Sequence, residues 1–373
     1  MTGPLRIGVI GVGVISAQYF EAFPRLPGLR LVAVADLDLD RARQVAEEQG
    51  VRASSVDELL AADDVDAVLN LTIPAAHVEV GLRALEAGKH VYAEKPLALD
   101  PDEGARLLAA AEERGLRVGS APDTVLGTGI QTARRLVDDG AIGQVLTAEA
   151  SWSAPGHERW HPNPFFYYQP GGGPLLDMGP YYLTALVTML GPVVRVSGVS
   201  IRSPRERSVA TGPRAGEPVP VAVDTGVSGI LEHASGAVSR VSFSFDTWAT
   251  RAPLFELHGT EGTIAVPDPN RFDDPVETWT LRQAQDGATG SGEWAPVEPS
   301  AGYADAGRGY GLADMARAIE TDRPHRASGE LAQHVLEIMD ALPRSSREHV
   351  VVTLATTVER PAAVPEGATP DSW

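Results

Sequence analysis

The first 120 residues alternate between two periodicities, and this limits the fold more than any other feature of the chain. "LRIGVIGVG" (5–13) is a short apolar run ending in glycines, as expected of a buried strand followed by a tight turn. "VISAQYFEAFPRL" (14–26) then has helical spacing. The pattern repeats. "LRLVAVAD" (29–36), "VDAVLNLTI" (65–73), "HVYAE" (90–94) and "LRVGS" (116–120) read as strands. "DRARQVAEEQG" (40–50), "HVEVGLRALEAG" (77–88) and "PDEGARLLAAAEERG" (101–115) read as helices, the first closed by Gly50. Repeated βαβ units predict an α/β fold with a doubly wound parallel sheet.

The first strand–helix junction, Gly11-Val12-Gly13-Val14-Ile15-Ser16, has the form of a phosphate-cradling turn. Gly11 permits the tight turn, and Gly13 lets backbone approach a pyrophosphate at the helix N-terminus. The third position of the usual fingerprint is Ser16 rather than Gly, so the match is partial. A glycine-rich turn can also simply join strand to helix. Context favours the nucleotide: Asp36 ends the second strand, 36 − 11 = 25 residues beyond Gly11, near the spacing of the acid that takes a ribose hydroxyl. A carboxylate accepts from a free 2′-hydroxyl and repels a 2′-phosphate, and no Arg stands in Leu37-Asp38-Leu39-Asp40. The expected cofactor is NAD rather than NADP.

Composition removes several function classes. Net charge is −19, which disfavours nucleic acid and anionic membrane surfaces. There are no cysteines, hence no disulfide or thiolate chemistry. No apolar run approaches the ~20 residues of a membrane span, and the first residues lack a signal-peptide pattern, so the expected location is cytoplasmic. With 373 residues the chain fits two domains, expected at 1–122 and 123–373. Of 31 basic residues only Lys89 and Lys95 are Lys. Lys89 reads as a helix-end cation. Lys95, in "HVYAEKPLALD", stands between Glu94 and Pro96. Arg stays charged in a protein whereas Lys can give up its proton, so a lone Lys here points to proton handling rather than a surface pair with Glu94.

In "GGGPLLDMGPYYLTALVTMLG" (171–191), Pro174 suits a first helical turn, and Asp177 and Tyr181 at i and i+4 share a face. A carboxylate beside a phenol can orient or relay a proton. Equally, Asp177 can serve the helix end while Tyr181 packs in a core. "SWSAPGHERWHPNPFFYYQ" (151–169) is rich in aromatics, His and Pro and reads as a substrate-cleft loop containing Trp160 and His161. His157 and His161 have metal-ligand spacing, but Pro, Gly and the lack of a third ligand argue against a metal site. Asp123, in "SAPDTVLG", is a candidate to face the substrate. Strand patterns follow at 195–203, 224–248 and 252–266, and helices at 310–324 and 329–342 that would pack back on the chain. Residues 202–222 read as an exposed excursion, 268–308 as loop-rich, and the tail after Arg360 as poorly ordered.

The Gly-x-Gly turn, "TIPAAHVEVGLRALEAGKHVYAEKP" and "GGGPLLDMGPYY" together resemble the Gfo/Idh/MocA oxidoreductases, over almost the whole chain. The resemblance implies an N-terminal Rossmann domain and a C-terminal α+β domain with a large open, mostly antiparallel sheet that forms a homodimer or homotetramer. It implies that Gly11, Gly13, Val14, Ile15, Asp36, Thr72, Pro74, His77, Glu94 and Lys95 border the dinucleotide, although His77 can equally pack locally. It places Lys95 beside the nicotinamide, the substrate and the Asp177–Tyr181 face. Many relatives have His where this chain has Tyr181, and the Tyr is similar to sugar- and dihydrodiol-oxidising branches. The implied activity is hydride transfer to or from a hydroxyl-bearing carbon of a sugar, polyol or cyclitol. Its rivals are a glycosidase or lyase that oxidises a sugar transiently on tightly held NAD, and a non-catalytic dinucleotide sensor.

Overall fold

The computed structural model describes residues 3–280 and 293–369. The chain divides into two compact units. The first takes the residues up to Gly127, Ala301–Leu336 and those from Val364 on. The second takes Thr128–Ser300 and Glu337–Ala363.

The first unit is built on a six-stranded parallel sheet: β1 (Leu5–Ile10), β2 (Leu29–Ala35), β3 (Arg52–Ser54), β4 (Ala67–Asn70), β5 (His90–Ala93) and β6 (Val118–Ser120), in the order β3-β2-β1-β4-β5-β6. The central strands are apolar throughout because helices cover both faces. Ile7, Val9, Ala33, Val34, Val68, Leu69, Val91 and Tyr92 are all fully buried. The helices are α1 (Ser16–Ala22), α2 (Leu39–Gln49), α3 (Val56–Ala61), α4 (His77–Glu86) and α5 (Pro101–Glu112). Asp38 caps α2 by accepting from Arg41 N, and Gly50 ends it in the left-handed region. β3 and α3 carry no periodic signal of their own, being three and six residues long. The legible mark was the capping box Ser55–Glu58, where each side chain satisfies the other's backbone N–H. Strand order reverses between β1 and β4, so the carboxyl ends there open a crevice, where ligands bind in such sheets.

The second unit holds α6 (Thr128–Asp138), β7 (Val145–Ser153), α7 (Pro174–Leu190), β8 (Val193–Ile201), β9 (Gly226–His233), β10 (Val238–Ser244), β11 (Phe255–Gly259), β12 (Gly262–Ala265), β13 (Val276–Thr280), β14 (Ala295–Val297) and β15 (Val352–Thr353). Among the described residues its strands run β14-β13-β12-β11-β7-β10-β9-β8-β15, antiparallel except for the β7–β10 pair. α7 packs on β7, β9 and β10. The side chains beneath it are apolar, among them Ala148, Ala150, Leu231, Val241 and Phe243. Strand alternation turns Ser228, Ile230 and Arg240 to the opposite face. Of the last helices, α8 (Tyr310–Thr321) packs against β6 in the first unit, and α9 (Gly329–Glu348) runs from the first unit into the second. Among the described residues no helix is long and apolar enough to cross a membrane.

Two expectations gain detail and one is corrected. Residues 202–222 are largely exposed, as expected, but the excursion is pinned at three buried side chains, Arg207, Val209 and Val219, and the two valines pack with Tyr168 and Phe245. The stretch 268–308, part of which lies outside the described residues, is loop-rich where described, as expected, and also contributes the short β13 and β14 to the sheet. The tail after Arg360 is anchored at Val364, which is fully buried and accepts from Gly302 N at 3.0 Å.

His77, His90, His233 and His325 are buried deeply enough that desolvation, the largest influence on each, holds their pKa below the usual value. In the unfolded chain these rings take a proton near about pH 6.5. Stability they contribute is therefore complete above that pH and is lost as pH falls through the lower folded-state values. Melting temperature is expected to decline steadily on acidification from about pH 7.5 to about pH 5.5. A flat profile over that range contradicts this assignment.

Candidate active site

The first unit gathers its candidate residues at the carboxyl ends of β1, β2, β4 and β5. Gly11 has φ +93°, and a Cβ there would lie 2.7 Å from the Leu71 carbonyl, so the turn requires glycine. Gly13 faces open space, where a Cβ would meet nothing within 4 Å. Val14 is 97 % exposed, Leu37 96 % and Ile73 70 %, an unusual concentration of bare apolar side chains around one sheet edge; Ile15 is half-buried. Asp36 accepts from Val12 N at 2.8 Å through one oxygen and from Asp38 N at 2.9 Å through the other. It thereby ties the Gly-x-Gly turn to β2, and each oxygen keeps a lone pair for a further donor.

Asn70, which sequence reading passed over, organises the next loop. Its Oδ1 accepts from Thr72 N at 3.2 Å and Thr72 Oγ1 at 2.6 Å, and its Nδ2 donates to the His77 carbonyl at 3.0 Å. A polar residue ending the buried apolar strand "AVLN" was the available signal. Thr72 and Pro74 are half-buried on this loop. His77 does not line a path: it is 1 % exposed, with Nδ1 2.7 Å from the Pro96 carbonyl and Nε2 3.1 Å from the Thr72 carbonyl. A ring with one proton donates to one of these, and the shorter contact marks Pro96. The expected cofactor contact through His77 is replaced by a prop between two loops, the local-packing alternative.

Glu94 is likewise buried, accepting from Tyr19 Oη at 2.9 Å and from Lys95 N at 3.0 Å. Burial, then the Glu94 charge, pushes the Tyr19 phenol well above its usual pKa, so it stays a donor. Lys95 is half-buried at the end of β5, and the Lys95–Pro96 bond is cis. Lys89 Nζ donates to the Ala62 carbonyl at 2.7 Å. Asp123 is corrected. It is 0 % exposed and accepts from Gly309 N at 2.8 Å and Gly311 N at 3.1 Å, with Arg308 3.8 Å away. Burial raises its pKa against the pull of Arg308. Its role is to anchor the start of α8, not to face a substrate.

In the second unit Asp177 sits in the first turn of α7, where the helix dipole favours a carboxylate. Tyr181 follows one turn on and is buried. Tyr182 is fully buried and donates to Asp268 at 3.3 Å, which marks it as structural. Asp177 accepts from His157 Nε2 at 2.9 Å, and His157 Nδ1 lies 3.0 Å from the Trp160 indole nitrogen. Trp160 itself is more than half exposed; His161 is half-buried, its ring 5.2 Å from that of Trp160. The sequence marks His157 only by its metal-ligand spacing to His161. Among the described residues no three His, Asp or Glu side chains gather as a metal would need.

A parallel sheet with a Gly-x-Gly turn at its switch point, continued in sequence by an open mixed sheet, defines the class as a Rossmann-type dinucleotide-binding protein with a second α+β unit. Residues 5–121 match the oxidoreductase family with an NAD-binding Rossmann fold, and residues 130–265 match the Gfo/Idh/MocA C-terminal domain. The chain belongs to the Gfo/Idh/MocA oxidoreductases. It is 35 % identical to dTDP-3,4-didehydro-2,6-dideoxy-α-D-glucose 3-reductase of Actinomadura kijaniata, over 74 % of this chain and 77 % of that one. It is 30 % identical to 1,5-anhydro-D-fructose reductase of Ensifer adhaerens, over 87 % of this chain and 91 % of that one. A solved levoglucosan dehydrogenase shares the fold with TM-score 0.81 at 22 % identity, covering 96 % of this chain and all of that one.

Proposed function

We propose that the chain is a nicotinamide-dependent enzyme that moves a hydride between its cofactor and an oxygen-bearing carbon of a sugar, polyol or cyclitol. The observation that carries this reading is the relatives matched over most of their length, both reductases of keto sugars by name. The residues present fit a dinucleotide: Gly13 leaves room for a pyrophosphate, and Val14, Leu37 and Ile73 offer apolar cover. The turn Gly11–Ile15 with Thr72 and Pro74 would hold the dinucleotide, and Asp36 would accept from the adenosine ribose. Bound nicotinamide supplies or receives the hydride. Lys95 and Tyr181 give a proton to the oxygen of the ketone being reduced, or take it from the alcohol being oxidised. Asp177 orients them. The outward sheet face, where Val199, Ile201 and Ile230 are exposed, is where a second copy would dock to make a homodimer or homotetramer.

NAD is the proposed cofactor because Asp36, at the end of β2, would accept from a free 2′-hydroxyl and repel a 2′-phosphate. Asp36→Ala removes a hydrogen bond to a charged group, worth about 1.5–3 kcal/mol. The Kd for NAD is then expected to rise about tenfold or more, with NADP affected less. Tighter binding of NADP than NAD by the unaltered protein contradicts this choice. Substrate class is tested by following cofactor absorbance with purified protein, either nicotinamide couple, and a panel of inositols, aldoses, glycosides and keto sugars. Net cofactor turnover with one group identifies the class. Release of an aglycone without net turnover favours the transient-oxidation reading instead.

A further inference from the structure

We infer that His157 is a positioning residue: it holds the Asp177 carboxylate, and its own ring is held by the Trp160 indole, forming a one-way hydrogen-bond chain Trp160→His157→Asp177. This rests on the reading of Asp177 given above. The direction follows from chemistry. An indole N–H only donates, so Nδ1 of His157 accepts and Nε2 carries the proton given to Asp177. One tautomer satisfies both bonds, and it commits one oxygen of Asp177 to a fixed line.

The surroundings show that the ring is built in. His157 is buried, with Tyr167 at 4.4 Å, Phe245 at 4.6 Å, Trp160 at 5.2 Å and Trp152 at 5.6 Å between ring centroids. Its backbone N donates to Tyr168 Oη at 3.0 Å, and its carbonyl accepts from Trp160 N and His161 N. Tyr168 in turn donates to Glu158, whose carboxylate also takes Arg207 at 3.0 Å and Arg205 at 2.8 Å. Gly156, at φ +112°, leaves the space that this carboxylate and Arg207 occupy. Such a pinned loop fixes the angle at which Asp177 is presented. Small misplacements of a catalytic group cost large factors in rate.

Two experiments test the chain. The first needs no substrate. In protein labelled with nitrogen-15 histidine, magnetic resonance is expected to show His157 protonated on Nε2, and Asp177→Asn and Trp160→Phe each to move its ring signals. A ring protonated on Nδ1 overturns the proposal. The second measures turnover with NAD and myo-inositol or D-glucose as probe. His157→Leu is expected to lower kcat about 10- to 100-fold with KM nearly unchanged, and His157→Gln, whose amide N–H reaches about as far as Nε2, to recover most of it. Trp160→Phe gives a smaller loss that adds nothing to His157→Leu. Equal losses in the Leu and Gln variants, or wild-type kcat in the Leu variant while Asp177→Asn is inactive, overturn it. If Asp177→Asn itself keeps full turnover, the underlying reading of Asp177 fails instead.

Discussion

Replacing Lys95 with Met is expected to lower kcat by about 10²- to 10⁴-fold, the usual contribution of a positioned proton-transfer group, while affinity for NADH changes little. Met keeps the length and apolar stem of Lys and removes only the ammonium. The argument rests on how the backbone at Lys95 is fixed. Glu94 bridges Tyr19 Oη and Lys95 N. The next carbonyl, Pro96 O, lies 2.7 Å from Nδ1 of buried His77. These contacts hold the backbone through Glu94 and His77 rather than through the Lys95 side chain, so the fold is expected to survive the change. Lys95→Arg is expected to rescue little, because a guanidinium is planar, bulky and keeps its proton. Steady-state kinetics beside a fluorescence titration with NADH separates the effects. Wild-type kcat in Lys95→Met contradicts the proposed role, and a parallel loss of NADH affinity reassigns Lys95 to cofactor binding.

The largest stability effect is expected at Glu158, 19 positions before Asp177 in sequence. Glu158 is buried between Tyr168, Arg205 and Arg207, and the Arg207 side chain is wholly enclosed, reaching also to Asp246 at 2.6 Å and to the Phe245 carbonyl at 3.2 Å. Glu158→Leu would leave the Arg207 charge buried with one carboxylate fewer. Breaking such a pair from one side typically costs about 3–5 kcal/mol. Removing both partners, Glu158→Leu with Arg207→Met, is expected to recover a substantial part, since apolar residues replace the whole pair. Urea unfolding midpoints measure this. A cost below about 1 kcal/mol for the single change, the level of a surface pair, contradicts it.

These two sites also show what a sequence discloses. The frame around Lys95 was legible because each strand and helix announces itself by local period, and the Gly-x-Gly turn and Asp36 lie within one βαβ unit. β3 was lost because three residues carry no period. The Asp177–Tyr181 face was legible as an i, i+4 pair. Its partner His157 was not, because it lies 20 residues upstream and no spacing rule joins a loop histidine to a helix carboxylate across space. Residues 202–222 are exposed over most of their length, as their composition implies, but their anchor was hidden for the same reason. The Pro and Gly residues there are exposed, whereas Arg207 finds Glu158 49 residues away and is buried. Asp123, read as a substrate candidate, and His77, which the sequence left open between the dinucleotide and local packing, are both held by buried hydrogen bonds.

The central claim is hydride transfer between nicotinamide and a sugar carbon. It is tested most directly with NADH deuterated at the transferable position and a keto-sugar substrate found in the panel. One deuterium bonded to the carbon that bore the ketone, found by mass spectrometry and proton magnetic resonance, is the predicted result. Product formed with no deuterium on that carbon contradicts the account.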